Sequence, residues 1–249
     1  MGLCDSAGVQ VIEDCAHTMG ARWNGVLSGR HGVMAAYSTQ TYKHLNSGEG
    51  GLLISDDPEL MARATILSGS YMLYESHGAG PASETYDAIR LETPNMSARM
   101  DNLRAALLRP QLRRLETNIA AWNARYDLVA RLLARSPAIR LPYRPPAEFY
   151  VGSSIQFSVP GIAPAEAQAL IARLAEAGVE VKWFGADQPK GFTSDHRSWR
   201  YLAANALPQT DAVLAGLFDM RLPLTFSLED CTLIARIIRD EVTSAHNVA

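Results

Sequence analysis

The sequence predicts an α/β fold in which a larger α/β part is followed by a small α+β domain, and three observations carry that expectation. First, the stretch YSTQTYKHLNSGEGG, residues 37–51, lies between a β-prone run from Val33 to Thr39 and a second apolar run from Leu52 to Ile54. It reads as strand, loop, strand, with a lysine at the bend. Second, VQVIEDCAH, residues 9–17, reads as an apolar strand ending in Glu13 and Asp14. Acids at the carboxyl end of a strand lie where open α/β sheets bind ligands. Third, beyond the proline-rich crossing PAIRLPYRPP (137–146), strand and helix patterns alternate. SSIQFSV is a strand, PAEAQALIARLAEAG a helix closed by Gly178, VEVKWF a second strand and LEDCTLIARIIRDEV a final helix with Ser227 as its N-cap.

In chain order, LCDSAG before Val9 reads as a helix end with Gly8 at the turn. ARWNGVLSGRHG, residues 21–32, is a turn-rich loop in which Asn24-Gly25 is the strong turn signal and His31 a polar loop residue. Asp56 and Asp57 ahead of Pro58 mark the start of a helix that Gly69 ends. Residues 70–99 are aromatic and polar with little periodicity and read as a long loop; Tyr71, Tyr74, His77 and Arg90 there either line a substrate pocket or pack the loop. Asp101 caps a helix that Pro110 bends. Leu112, Leu115, Ile119, Trp122, Tyr126, Val129 and Leu133 then follow helical spacing, giving a long helix that joins two domains. The domain boundaries are placed at 1–136 and 147–249. In the second domain KWFGADQPKGFTSDHRSWRY is the basic and aromatic stretch, whose Lys182, His196 and Arg200 either meet an anionic substrate group or are solvated surface charge.

Composition excludes several functions. The 249 residues are 47% hydrophobic with a net charge of −3, and no apolar run is long enough to span a bilayer. No basic block points to nucleic acid, and MGLCDSAG lacks the charged and apolar regions of a secretory signal. Three scattered cysteines, Cys4, Cys15 and Cys231, suit a reducing cytoplasm. Cys15 and His17 have no second ligand pair at zinc-like spacing, so no metal is expected. GEGG precedes a strand rather than a helix, which argues against a nicotinamide dehydrogenase. Ser38 lacks the flanking glycines of a hydrolase nucleophile elbow.

The chemistry concentrates around Lys43. Ser38 stands five residues before it, and Gly48, Gly50 and Gly51 follow, where backbone can approach a ligand closely. An amine, a hydroxyl and close backbone suit a phosphorylated carbonyl cofactor, with the amine forming a Schiff base and the hydroxyl donating to phosphate. Such an electron sink needs a carboxylate against its ring nitrogen, and Asp14 is the candidate.

VIEDCAHTMGA, then YSTQTYK, then SGEGG resemble, in order and spacing, the DegT/DnrJ/StrS sugar aminotransferases, fold type I enzymes that use pyridoxal 5'-phosphate (PLP). The resemblance implies that Asp14 holds the pyridine nitrogen, that His17 (often glutamine in the family) contacts the cofactor's phenolic oxygen, that Ser38 holds the phosphate and that Lys43 forms the Schiff base. A related dehydratase branch has histidine in place of that lysine, so transamination is favoured. TPNMSARMDNLRAALLRPQL matches the family motif in which an asparagine, here Asn95, reaches the phosphate across a homodimer interface. The family further implies an amino donor such as glutamate and a nucleotide-linked keto-sugar. The resemblance covers nearly the whole chain but only the later part of a family member: an incomplete large α/β domain plus the small C-terminal α+β domain. The alternative expectation is therefore a chain without catalysis of its own, either an inactive remnant or one subunit of a split enzyme whose second chain supplies the early strands. A sheet lacking those strands would leave an open edge.

Overall fold

The computed structural model describes residues 1–69, 72–76, 78–188, 196–201, 203 and 205–246. It divides into two compact units, residues 1–117 with 146–151, and residues 118–145 with 152–249.

The first unit contains α1 (Gly2–Ser6), β1 (Ile12–Asp14), β2 (Arg22–Trp23), β3 (Val26–Leu27), β4 (Met34–Ser38), β5 (Gly51–Ile54), α2 (Pro58–Ser68), α3 (Ser83–Ile89), α4 (Asn102–Arg113), the first residues of α5 (Leu115–Leu133), and β6 (Glu148–Phe149). Its main sheet has the order β1-β4-β5. β1 runs parallel to β4 with Asp14 beside Ala36, and β5 runs antiparallel with Gly51 beside Ser38. The expected strand ends at Asp14 as read but begins only at Ile12; beyond it the Asp14 carboxylate accepts from the Ala16 N–H at 3.0 Å and the chain turns out of the sheet.

The stretch expected to be a turn-rich loop instead carries a two-residue hairpin. Asn24 (φ 48°) and Gly25 (φ 80°) are both left-handed, the condition for the tight turn that joins β2 to β3. β6 then pairs with β2, placing Phe149 beside Arg22. That pairing draws residues 146–151 into the first unit, while Val129, Leu132 and Leu133 of α5 are buried in the core of the second. The compact units thus divide at 117/118, at 145/146 inside the proline-rich crossing, and at 151/152.

Helix ends follow local chemistry. Asp57 accepts from the N–H groups of Glu59 and Leu60 at 2.8 and 3.1 Å, Pro58 opens α2, and left-handed Gly69 closes it. Asp101 caps α4 by accepting from Arg104 N at 2.8 Å. Pro110 is contained within α4, and the interruption before α5 falls later, at Arg114. Between α2 and α4 the expected long loop contains a 3₁₀ turn (Tyr74–Ser76) and α3. The Tyr74 and Tyr86 rings stack at 4.2 Å and are buried with Ala62, Ile66 and Ile89, so Tyr74 packs a small core. Arg90 pairs with Asp87 at 3.2 Å on the surface. Tyr71 and His77 lie outside the described residues.

The second unit holds the rest of α5 with β7 (Ser154–Ser158), α6 (Pro164–Glu176), β8 (Lys182–Trp183), α7 (Pro208–Ala215), β9 (Leu217–Arg221) and α8 (Leu228–His246). Its antiparallel sheet has the order β7-β9-β8. The central strand β9 was not anticipated: Phe218, Asp219 and Met220 are buried in succession, so LFDMR shows no polar–apolar alternation. Phe157 and Phe218 stack at 5.4 Å across β7 and β9. Ala167, Leu170 and Leu174 of α6 and Cys231, Ala235, Ile238 and Val242 of α8 complete the core at helical spacing. Ser227 caps α8 reciprocally with Asp230. His196 contacts Asp211 at 2.8 Å, Lys182 is in β8, and Arg200 is exposed. No described helix is long and apolar enough to cross a membrane.

Candidate active site

Parallel pairing fixes which side chains share a face of the main sheet. Asp14 pairs with Ala36, and Ser38 is two residues further along β4, so Asp14, Ala36 and Ser38 lie on one face and Glu13, Ala35 and Tyr37 on the other. Asp14 and Ser38 also stand at the carboxyl ends of neighbouring parallel strands. Gly51 opposes Ser38, and a Cβ there would stand 2.8 Å from the Tyr37 carbonyl oxygen, so the tight approach of β5 to β4 requires glycine.

Beyond Ser38 the loop 39–50 closes on itself. Thr39 N donates to Gly50 O, Ser47 N to Thr39 O and Thr41 N to Gly48 O, each at 2.9 Å, and the buried hydroxyls of Thr39 and Ser47 meet at 3.0 Å. Leu45 is 1% exposed and roots the loop in the protein. Lys43 sits half-buried on the outer bend, its N–H donating to Gln40 O at 3.0 Å. The turn after Asp14 brings in His17, and Lys43 Nζ lies 2.6 Å from His17 Nε2. At that distance one nitrogen must accept. Either the ammonium donates to a neutral imidazole protonated at Nδ1, or the imidazole Nε2–H donates to a neutral amine.

Gln111 of α4 grips the same loop. Its Oε1 accepts from Asn46 N at 2.9 Å, and its Nε2 donates to Asn46 O at 2.7 Å and to Leu107 O at 2.9 Å. All three hydrogen-bonding functions of the amide are in use.

The opposite face is braced by residues that sequence reasoning did not single out. Glu13 accepts from Gly29 N at 2.8 Å and from His31 N and Gly32 N at 2.7 Å each. Burial pushes the Glu13 carboxyl up, but the three backbone donors, helped by the field of His31, outweigh it and hold the group below the usual carboxylate range. The Ser28 hydroxyl meets Thr18 Oγ1 at 2.6 Å and Cys15 Sγ at 3.3 Å, bridging both sides of the turn that carries His17, and Tyr37 OH donates to Ser28 O. The available signal was the alternation: a residue adjacent to Asp14 on a strand must face the other way, and an acid facing inward needs donors.

Asn95 is placed elsewhere in this unit. Its Oδ1 accepts from Ser97 N at 2.8 Å beside Gly69, whose carbonyl accepts from Arg99 Nη1 at 3.2 Å. The structure thus joins His17 to Lys43, sets Asp14 and Ser38 on one face, and keeps Asn95 at the end of α2. Two surface grooves flank α2, of about 820 Å³ beside Asp56, Asp57 and Gly80 and of about 480 Å³ beside Met61, Met96 and Arg99; neither is lined by Lys43. Among the described residues, no group of three or more His, Cys, Asp or Glu is placed to hold a metal ion.

A model of the DegT/DnrJ/EryC1/StrS aminotransferase family matches residues 1–239. The chain belongs to this family. The family member is 31% identical over 175 residues to a 3-amino-5-hydroxybenzoate synthase of Amycolatopsis mediterranei (strain S699), an alignment covering 69% of the chain and 42% of that relative. It is 34% identical over 151 residues to a dTDP-3-amino-3,4,6-trideoxy-alpha-D-glucose transaminase of Streptomyces venezuelae, covering 58% and 35%. The chain therefore spans less than half of the curated relatives it matches. In structure it is similar to the aminotransferase TlmJ from Streptoalloteichus hindustanus, with a TM-score of 0.78 at 20% identity over 98% of this chain and 62% of that one. The fold is that of the fold type I transferases, mixed helix and sheet as expected.

Proposed function

We propose that the chain carries the lysine half of a PLP-dependent aminotransferase site, acting on a nucleotide-linked keto-sugar with an amino-acid donor such as glutamate, in amino sugar biosynthesis. The observation that carries the reading is the contact of Lys43 with His17 at the sheet end where Asp14 and Ser38 share a face. The donor set fits the cofactor: an amine for its carbonyl, a carboxylate for its ring nitrogen, an imidazole for its phenolic oxygen and a hydroxyl for its phosphate. Bound PLP supplies an electron sink for the charge left when a proton leaves the donor's α-carbon.

The residues divide the remaining work. Lys43 would hold the cofactor through its amine, and the same amine would move the proton at the donor's α-carbon. Asp14 would keep a proton on the ring nitrogen from its exposed position at a strand end, where one of its oxygens accepts from the Ala16 N–H. Ser38 donates to phosphate. His17 orients the amine and contacts the ring oxygen. Asn95 reaches the phosphate of a second copy in a cytoplasmic homodimer. The domain assignment that accompanies this reading is residues 1–136 as the later part of the PLP-binding domain and 147–249 as the small domain. The nucleotide-sugar substrate is supported by the dTDP-sugar transaminase among the relatives.

A second reading is favoured by one feature: β1 is the edge of its sheet, with Val9 56% and Ile12 68% exposed. In that reading the chain is a non-catalytic subunit until another polypeptide pairs with the edge. The test of both is to supply PLP, glutamate and a dTDP-keto-sugar and to follow the aminated product by mass spectrometry. Product made by the chain alone, and lost in Lys43→Ala, supports the first reading. Product only on addition of a second polypeptide supports the second.

A further inference from the structure

We propose that Gln111 is a positioning residue for Lys43, holding the lysine loop in register from a helix 65 residues further along the chain. The inference rests on the reading of Lys43 as the cofactor-holding amine. Most of the loop's internal hydrogen bonds join residues near its two stems, through Thr39, Thr41, Ser47, Gly48 and Gly50. The segment just after Lys43 has a different anchor. Asn46 is exposed, yet both its backbone N–H and its C=O are engaged by one side-chain amide, at 2.9 and 2.7 Å. A primary amide presents a donor and an acceptor side by side, as a neighbouring strand does, so Gln111 replaces the strand partner that an exposed bend lacks. The third contact, Nε2 to Leu107 O at 2.9 Å, ties the amide to its own helix and fixes its orientation. Leu45 anchors the loop inward while Gln111 fixes its outer course, and Lys43 leaves the bend between Gln40 and these two anchors. The position of Nζ against His17 therefore depends on a residue that touches neither cofactor nor substrate.

The test uses the full 249-residue chain with Gln111→Met, which keeps the volume and removes all three hydrogen bonds, and Gln111→Glu, which keeps only the acceptor and sets a carboxylate against Asn46 O. Two readouts need no cofactor: amide exchange of Asn46, and acetylation of Lys43 relative to Lys182 in the same molecule, read by mass spectrometry. Both variants are expected to speed Asn46 exchange on the order of tenfold and to shift the Lys43/Lys182 ratio, with the thermal midpoint little changed. Borohydride-fixed PLP on Lys43 is expected to fall in parallel, more in Gln111→Met. Unchanged exchange and an unchanged labelling ratio in a folded Gln111→Met chain would overturn the proposal. If the ratio shifts while the wild-type chain fixes no PLP on Lys43, the grip is upheld and the cofactor reading is what fails.

Discussion

Lys43 Nζ rests 2.6 Å from His17 Nε2, and the two residues arrive there from separate loops, one leaving β1 and the other leaving β4. Because β1 and β4 are parallel neighbours, both loops emerge at the same end of the sheet, which brings amine and imidazole within reach of each other.

Removing the imidazole should therefore disturb the amine. His17→Ala is expected to slow covalent capture of PLP by Lys43 on the order of tenfold, and His17→Gln to retain most of it, since an amide still offers a donor and an acceptor. Capture at the wild-type rate in His17→Ala would show that the contact has no bearing on the lysine.

Asp14→Asn separates holding the cofactor from using it. The side chain keeps its shape and its carbonyl can still accept from Ala16 N, so PLP capture should persist. Turnover is expected to fall by about 10²-fold or more, because an amide cannot hold the ring nitrogen in its protonated form. A variant as active as wild type, in steady-state assays of a system that turns over, would exclude Asp14 from the role.

Glu13 predicts an acid-side instability. Its folded-state pKa is lowered, so the stability it contributes is present above the unfolded carboxylate value of about 4.3 and is lost as the pH falls through the lower folded value. Glu13→Gln should cost about 1–3 kcal/mol at neutral pH, because the amide's NH₂ would face a backbone N–H, and should flatten the loss below pH 4.3. Urea unfolding at several pH values reads both effects. An unchanged pH dependence in the variant would remove Glu13 from the account.

Gly51→Ala places a methyl 2.8 Å from the Tyr37 carbonyl oxygen, beside Ser38. A destabilisation of about 1–3 kcal/mol is expected, with weaker PLP binding as β4 and β5 separate. Thermal unfolding of the variant at the wild-type midpoint would show that the strands have room.

That Asp14 and Ser38 stand at strand ends and Lys43 on the loop beyond was legible in the sequence, because the apolar runs and glycines that bound those strands form a local pattern. The caps at Asp57, Asp101 and Ser227 were legible for the same local reason. Glu13, Ser28 and Gln111 were not, since Gly29, Thr18 and Asn46, which they meet, lie 16, 10 and 65 residues away and nothing local marks the pairing. β9 was hidden by its position: a central strand buried at Phe218, Asp219 and Met220 has no alternation to read. Of the two readings open for Tyr74, pocket lining or loop packing, packing is the one found, and its partner Tyr86 in α3 could not be named from an aperiodic stretch. The helix now numbered α3 was missed there too, being only seven residues long.

The most direct test of the central claim is borohydride reduction of the purified chain incubated with PLP, followed by peptide mapping, beside Lys43→Ala. The account predicts a visible absorption band that reduction abolishes, with the cofactor's mass fixed on Lys43 in the wild-type chain and on no lysine in the variant. Fixation on Lys182, or equal fixation in Lys43→Ala, would contradict it.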